Sequence, residues 1–211
     1  MLLNNQEHST ISHFGQTAFD FVALAASLGG LRALSQILSA LPWDFPAAIT
    51  VVQHLPPQYP SLMADILSRR TALTVKQASA GDQLRPGTVY IAPPNKHLLV
   101  NPDGTLFLSN LEKVNFSRPS ADVLFESVAT SFKERAIAVV LTGRGCDGAR
   151  GVQAIRQMGG MVFAQDQVTS ESFGMPSAAI DTGSVDLILP LNQIAPALMT
   201  LVMVEEALAS A

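Results

Sequence analysis

Phe21-Val22-Ala23-Leu24-Ala25-Ala26-Ser27-Leu28-Gly29-Gly30 is the stretch that decides the fold. The apolar run Phe21 to Leu24 has the length of a strand, and the helical pattern Leu31 to Leu41 follows it after a few small residues. A strand that turns into a helix so abruptly needs backbone freedom and close strand-helix approach, which small residues and glycine supply. Such a turn leaves the Ser27 hydroxyl exposed at the carboxyl edge of the sheet, with the amino end of the next helix aimed at it. Unpaired N–H groups and the positive end of the helix macrodipole favour an oxyanion or a phosphate there. The turn alone therefore suits acyl transfer and nucleotide binding alike.

Outward from this turn, apolar runs of strand length alternate with segments of helical period, the pattern of a parallel sheet covered by helices. The predicted strands are Phe21 to Leu24, Ile49 to Gln53, Leu73 to Lys76, Val89 to Ala92, Ala136 to Thr142, Met161 to Ala164 and Leu187 to Leu189. The predicted helices are Gly30 to Ala40, Ser61 to Ser68, Ala121 to Phe132, Ala149 to Met158 and Gln193 to Ala209, with a short turn near Ser177 to Ile180. Pro42, Pro56, Pro57 and Gly159-Gly160 punctuate the boundaries. Leu98 to Ser109 breaks the alternation, because Asn101-Pro102-Asp103-Gly104 between two short apolar runs reads as a hairpin. The expected fold is α/β: one doubly wound, mostly parallel β-sheet flanked by helices, with a small hairpin insertion. Residues 1–17 are expected to be a flexible polar lead, and 18–211 the folded domain.

The chain of 211 residues is 48% hydrophobic and 14% charged, enough to bury a substantial core in one domain. A net charge of −4 without a basic run argues against a nucleic-acid partner. Ala136 to Leu141 and Ala195 to Val204 fall far short of the roughly 18 to 20 apolar residues that span a bilayer, so no membrane insertion is expected. Met1 to Thr17 lacks the basic and apolar blocks of a secretory signal, and a cytoplasmic location is expected. A single cysteine, Cys146, excludes an internal disulfide and any multi-cysteine metal site.

Ligands of open parallel sheets bind beyond the carboxyl ends of the strands. Three strand ends deliver chemistry there: Ser27 after the first, His54 after Ile49 to Gln53, and the loop Thr142-Gly143-Arg144-Gly145-Cys146-Asp147-Gly148 after Val139 to Leu141. Serine is a weak nucleophile at neutral pH, so a hydrolase needs a base and a third group that holds the base's tautomer. His54 and Asp147 suit those roles, in an order unlike that of the α/β-hydrolases, and triads are recognised by geometry. Each residue also has a plainer reading. Ser27 can be a cap or a ligand-binding hydroxyl, His54 a hydrogen-bonded histidine at a strand end, and Asp147 the N-cap of the helix starting at Ala149. His97 is read as serving its loop and the hairpin, and Cys146 has no second activating base beside it in sequence.

Together these blocks resemble the catalytic domain of the chemotaxis protein-glutamate methylesterases, the CheB family. The resemblance runs from about Ala18 to Val204. It rests on Ala26 to Gly30, Val51-Val52-Gln53-His54-Leu55-Pro56, Gly87-Thr88-Val89-Tyr90-Ile91-Ala92-Pro93, Arg118-Pro119-Ser120-Ala121-Asp122, Leu141-Thr142-Gly143, Gly145, Asp147-Gly148 and Gly174-Met175-Pro176. It implies a serine hydrolase acting on γ-glutamyl methyl esters of chemoreceptor helices, with release of methanol, and deamidation of receptor glutamine as a related activity. Ser27, His54 and Asp147 fall on the family's catalytic residues, and backbone N–H groups near Leu28 and in Gly143 to Cys146 are the oxyanion candidates. No cofactor and no metal are implied. The methylated chemoreceptor is the implied partner.

The chain departs from the family at two places, with Leu28 where threonine is usual after the serine and Arg144 where methionine is usual between the glycines. Backbone contacts survive both changes, whereas a threonine hydroxyl would be lost. The chain also has no room for the receiver domain that commonly precedes the esterase domain, so control is expected from a missing domain or a separate regulatory protein. The competing reading is a catalytically weak receptor-binding module with the same fold. A nucleotide-binding domain would predict a Gly-x-Gly-x-x-Gly fingerprint or a P-loop, and neither is in the sequence.

Overall fold

A computed structural model describes residues 19–55 and 61–203. The expected lead, the Pro56-Pro57 boundary and the end of the last predicted helix lie outside them.

Among the described residues, seven short strands, buried in the sheet centre, and six α-helices follow the alternation read from the sequence. Strand β1 (Phe21–Ala26) leads into α1 (Gly30–Ser39), β2 (Ala48–Gln53) into α2 (Met63–Ser68), and β3 (Thr74–Gln77) runs on to β4 (Thr88–Ile91). The hairpin β5 (His97–Val100) and β6 (Leu106–Ser109) precedes α3 (Ala121–Phe132). Then come β7 (Ala136–Val140), α4 (Ala149–Gln157), β8 (Met161–Gln165), α5 (Gly174–Asp181), β9 (Leu187–Leu189) and α6 (Leu191–Met203). All pairings in the main sheet are parallel, in the order β3-β4-β2-β1-β7-β8-β9, and β5 pairs with β6 antiparallel, as the Asn101 to Gly104 turn predicts.

The strands in the centre read as unbroken apolar runs because both faces are covered. Alternate residues of β1 go to opposite cores: Val22, Leu24 and Ala26 pack with α1 and α6, and Phe21, Ala23 and Ala25 with α3. The α3 side of the sheet centre is built from small residues, Ala23, Ala25, Ala136 and Ala138, which accommodate the bulk of Phe125 and Phe132 from α3.

Most element ends shift by one or two residues from the sequence reading, and two of the differences have a specific physical cause. The short turn expected near Ser177 is a two-turn helix from Gly174 to Asp181, its start anchored by the Met175 N–H on Gly143 O at 2.8 Å. Pro176 in its first turn has no N–H to waste, so the proline favours the helix start. The last helix begins at Leu191 rather than Gln193, because the Leu191 N–H finds the Thr169 hydroxyl at 3.0 Å. Among the described residues no helix is long and apolar enough to cross a membrane.

Candidate active site

The strand order reverses direction at β1: β2 lies on one side of it and β7 on the other. Such a switch point opens a crevice beyond the strand ends. Ser27 leaves β1 there, His54 leaves β2, and the loop carrying Asp147 leaves β7. The register brings the three ends level. Ala26 pairs with Gln53, the His54 N–H donates to Ala26 O at 3.2 Å, and the Ser27 N–H donates to Thr142 O at 3.0 Å.

His54 and Asp147, 93 residues apart, meet in a hydrogen bond of 2.7 Å from Nε2 to Oδ2. The Asp147 side chain is 3% exposed and that of His54 19%. Burial by itself pushes the Asp147 carboxyl up; hydrogen bonds from His54, from the Ser120 hydroxyl and from the Ala121 and Asp122 N–H groups outweigh it and hold the pKa below the ordinary value. An ionised Asp147 can only accept, so His54 carries its proton on Nε2. Its Nδ1 has no hydrogen-bond partner among the described residues. Ser27 is half-buried, and its hydroxyl makes no hydrogen bond to another described residue, His54 included. Both side chains line one cleft of about 620 Å³ with Leu28, Gly29, Gly30, Arg32 and Arg70. A smaller recess of about 110 Å³, lined by Lys113, Phe116 and Arg118, also borders His54.

The plainer reading of Asp147 fails. Its carboxylate does not cap α4, which starts after Gly148 in the left-handed conformation (φ 102°). It turns instead to the start of α3, accepting the Ala121 N–H at 2.7 Å and the Asp122 N–H at 3.1 Å. The N–H groups at the start of α4 go instead to Asp122 of α3, which accepts those of Gly148 and Gly151 at 3.0 and 2.8 Å. Burial, joined by the Asp147 charge, raises the Asp122 pKa against the pull of these N–H groups.

The oxyanion candidates are refined in the same way. Gly143 drops out, because its N–H already donates to Ser172 O at 2.8 Å. The Leu28 and Arg144 N–H groups make no backbone hydrogen bond to another described residue. The Leu28 side chain is 40% exposed over the cleft, and its carbonyl accepts the Thr142 hydroxyl at 2.9 Å. Arg144 is exposed and forms no ion pair among the described residues. Cys146 is exposed. His97 is buried, as the loop reading requires, accepting the Ser120 N–H at Nδ1 and bonding Glu112 O through Nε2.

Gln53 carries no local sequence signal of a role in the site. Its side-chain N–H₂ donates to Ser27 O at 2.7 Å and to His54 O at 3.1 Å, clamping the two strand ends together. Gly30 has to be glycine because a Cβ there would lie 1.9 Å from Gln53 Oε1. Ser120 and Asp122 stand in the sequence as members of the Arg118 to Asp122 block, and the Ser-x-Asp spacing ahead of an apolar helical run is the signal of a helix start that points to them.

Fold and site define a doubly wound α/β domain that brings a serine, a carboxylate-paired histidine and a glycine-rich loop to its topological switch point. Residues 22–198 match the family profile described as CheB methylesterase, and the chain belongs to that family. It is 45% identical over 181 residues to the protein-glutamate methylesterase FrzG of Myxococcus xanthus, covering 86% of this chain and 54% of that protein. It is 43% identical over 187 residues to a protein-glutamate methylesterase/protein-glutamine glutaminase of Moorella thermoacetica, covering 87% and 44%. The crystallised catalytic domain of Thermotoga maritima CheB methylesterase is similar with a TM-score of 0.84 at 40% identity, over 87% of this chain and 99% of that one. The chain spans about half the length of the first two relatives.

Proposed function

We propose that this chain is a serine carboxyl-ester hydrolase that removes methyl groups from glutamate γ-methyl esters on chemoreceptors and deamidates receptor glutamine. The observation that carries the reading is the 2.7 Å bond from His54 Nε2 to Asp147 Oδ2, made beside a serine at a strand-to-helix turn. That bond leaves Nδ1 as the imidazole's acceptor. In the proposed reaction Ser27 Oγ attacks the ester carbonyl and passes its proton to His54 Nδ1. Asp147 stabilises the imidazolium. His54 then protonates the departing methoxide, and water, activated by the same nitrogen, releases the glutamate and regenerates Ser27. The Leu28 and Arg144 N–H groups are the proposed donors to the tetrahedral oxyanion. In this role the bond between Ser27 and His54, absent here, tightens when substrate fills the cleft, a common property of unliganded sites.

Arg32 and Arg70 on the cleft, and Lys113 and Arg118 on the adjoining recess, give the site a cationic rim in a chain of net charge −4. Such a rim favours a substrate surface bearing carboxylates, as a glutamate-rich receptor helix does. Residues 18–211 are the proposed catalytic domain. Its proposed setting is the cytoplasm, with access governed by a receiver domain or a separate regulatory protein.

Methanol release from methylated chemoreceptor cytoplasmic fragments tests the reading. Wild-type protein releases methanol, and Ser27→Ala and His54→Ala abolish it. A folded wild type that binds the receptor without releasing methanol would leave a receptor-binding module in its place.

A further inference from the structure

The carboxylate of Asp147 is held by more than its histidine. Ser120 begins α3 in an extended conformation (φ −116°, ψ 136°) and is fully buried. An N-cap serine ordinarily accepts an N–H of its own helix. Ser120 does not; its hydroxyl lies 2.7 Å from Asp147 Oδ1. Since an ionised Asp147 has no proton to give, the Ser120 hydroxyl is the donor.

Ser120 is itself anchored from behind. Its N–H donates to His97 Nδ1 at 3.2 Å, and His97, 1% exposed, bonds Glu112 O through Nε2 at 3.0 Å. A carbonyl cannot donate, so His97 carries its proton on Nε2, and both ring nitrogens are committed. An unbroken chain of hydrogen bonds therefore runs from the Glu112 carbonyl through His97, Ser120 and Asp147 to His54.

We propose that Ser120, fixed by His97, is a positioning residue that sets the rotation of the Asp147 carboxylate and so holds His54 in the tautomer that leaves Nδ1 to accept the Ser27 proton. The reasoning rests on unequal contacts at the two oxygens. Oδ2 keeps His54 at 2.7 Å and the Ala121 N–H at 2.7 Å, whereas Oδ1 has beside Ser120 only the Asp122 N–H at 3.1 Å. Without the hydroxyl, Oδ1 is held by its longer contact alone. The carboxylate is then held less firmly against rotation, and the His54 proton is less firmly kept on Nε2. The effect on turnover rests on the esterase reading above; the effect on the His54 tautomer does not.

The experiment uses the full 211-residue chain, labelled with ¹⁵N in the imidazole rings, as wild type, Ser120→Ala, Ser120→Gly and Ser120→Thr. Long-range ¹H–¹⁵N spectra report the tautomer of each ring, with His54→Gln as the assignment control. In the wild type both His54 and His97 are Nε2–H tautomers. Ser120→Ala and Ser120→Gly, which lack the hydroxyl, turn His54 into a mixture of tautomers, and Ser120→Thr restores the wild-type signal. Glycine is well tolerated at an N-cap, so that variant decides the matter if the alanine protein does not fold. In parallel, kcat for methanol release falls about tenfold with KM unchanged, the worth of one charge-assisted hydrogen bond. A pure Nε2–H signal for His54 in folded Ser120→Ala or Ser120→Gly overturns the proposal, as does a mixture in the wild type. A wild type with the expected tautomers and no methanol release counts against the esterase reading and leaves the positioning role standing.

Discussion

Asp122 and Asp147 exchange caps: Asp147 accepts the N–H groups that open α3, and Asp122 accepts those that open α4. Each carboxylate lies on or just before one helix and serves the other. The junction between the Asp147 loop and α4 is therefore pinned to the start of α3 twice over, and the same contacts that start the helices aim Asp147 at His54.

Removing one side of this exchange costs stability. Asp122 is 1% exposed and accepts the Gly148 and Gly151 N–H groups and the Asn115 amide. Asp122→Ala is expected to lower the unfolding free energy by about 2 kcal/mol, combining a lost cap with buried donors left unpaired. Urea unfolding checks this through the midpoint; a midpoint equal to the wild type's means that other acceptors replace the carboxylate.

The two carboxylates act oppositely on stability against pH. The Asp147 pKa is held below the ordinary value, because its hydrogen bonds outweigh burial. Its contribution is complete above about pH 4, the unfolded value, and is lost as pH falls through the native pKa. Asp122 is raised, chiefly by burial, so its contribution is present below about pH 4 and is lost as pH rises through its native pKa. Between about pH 5 and about pH 3, Asp147→Asn is expected to lose less stability than the wild type and Asp122→Asn more. Urea midpoints across that range decide it.

Gly143 touches the serine directly. A Cβ at this position would lie 2.8 Å from Ser27 Cβ and 2.3 Å from Met175 Sδ. The methionine can swing aside, but Ser27 sits on a turn fixed by hydrogen bonds from its N–H to Thr142 and from Gln53 to its carbonyl. Gly143→Ala is expected to displace the serine and reduce methanol release at least tenfold while the protein stays folded, since a misplaced reacting group is costly in rate. Equal kcat in the variant shows that the turn absorbs the methyl group.

The family departures at Leu28 and Arg144 have separate consequences. Leu28 meets the cleft through an exposed side chain, and its carbonyl is already engaged by Thr142. If only its N–H serves the site, Leu28→Thr changes kcat less than about threefold, because the backbone group is the same. Arg144 is exposed without an ion pair among the described residues, so Arg144→Met is expected to raise KM for a carboxylate-rich receptor fragment and to weaken the dependence of KM on salt. Steady-state kinetics at two ionic strengths test both.

The doubly wound sheet, the hairpin and the strand ends carrying Ser27, His54 and Asp147 are all legible in the amino-acid sequence. Those features are written locally: apolar runs of strand length, helical period, and small residues or glycines where the chain must turn. The sequence also holds the blocks around Gln53 and Ser120 without saying what they touch. That the Asp147 carboxylate crosses to α3 instead of capping its own helix, that Gln53 ties the Ser27 turn to His54, and that His97 stands behind Ser120 emerges in three dimensions alone. Each of these is a contact between segments 23 or more residues apart, set by strand order and helix packing. A hydrogen bond is a matter of distance and direction in space, and no spacing along the chain encodes it until the sheet has brought the strand ends together.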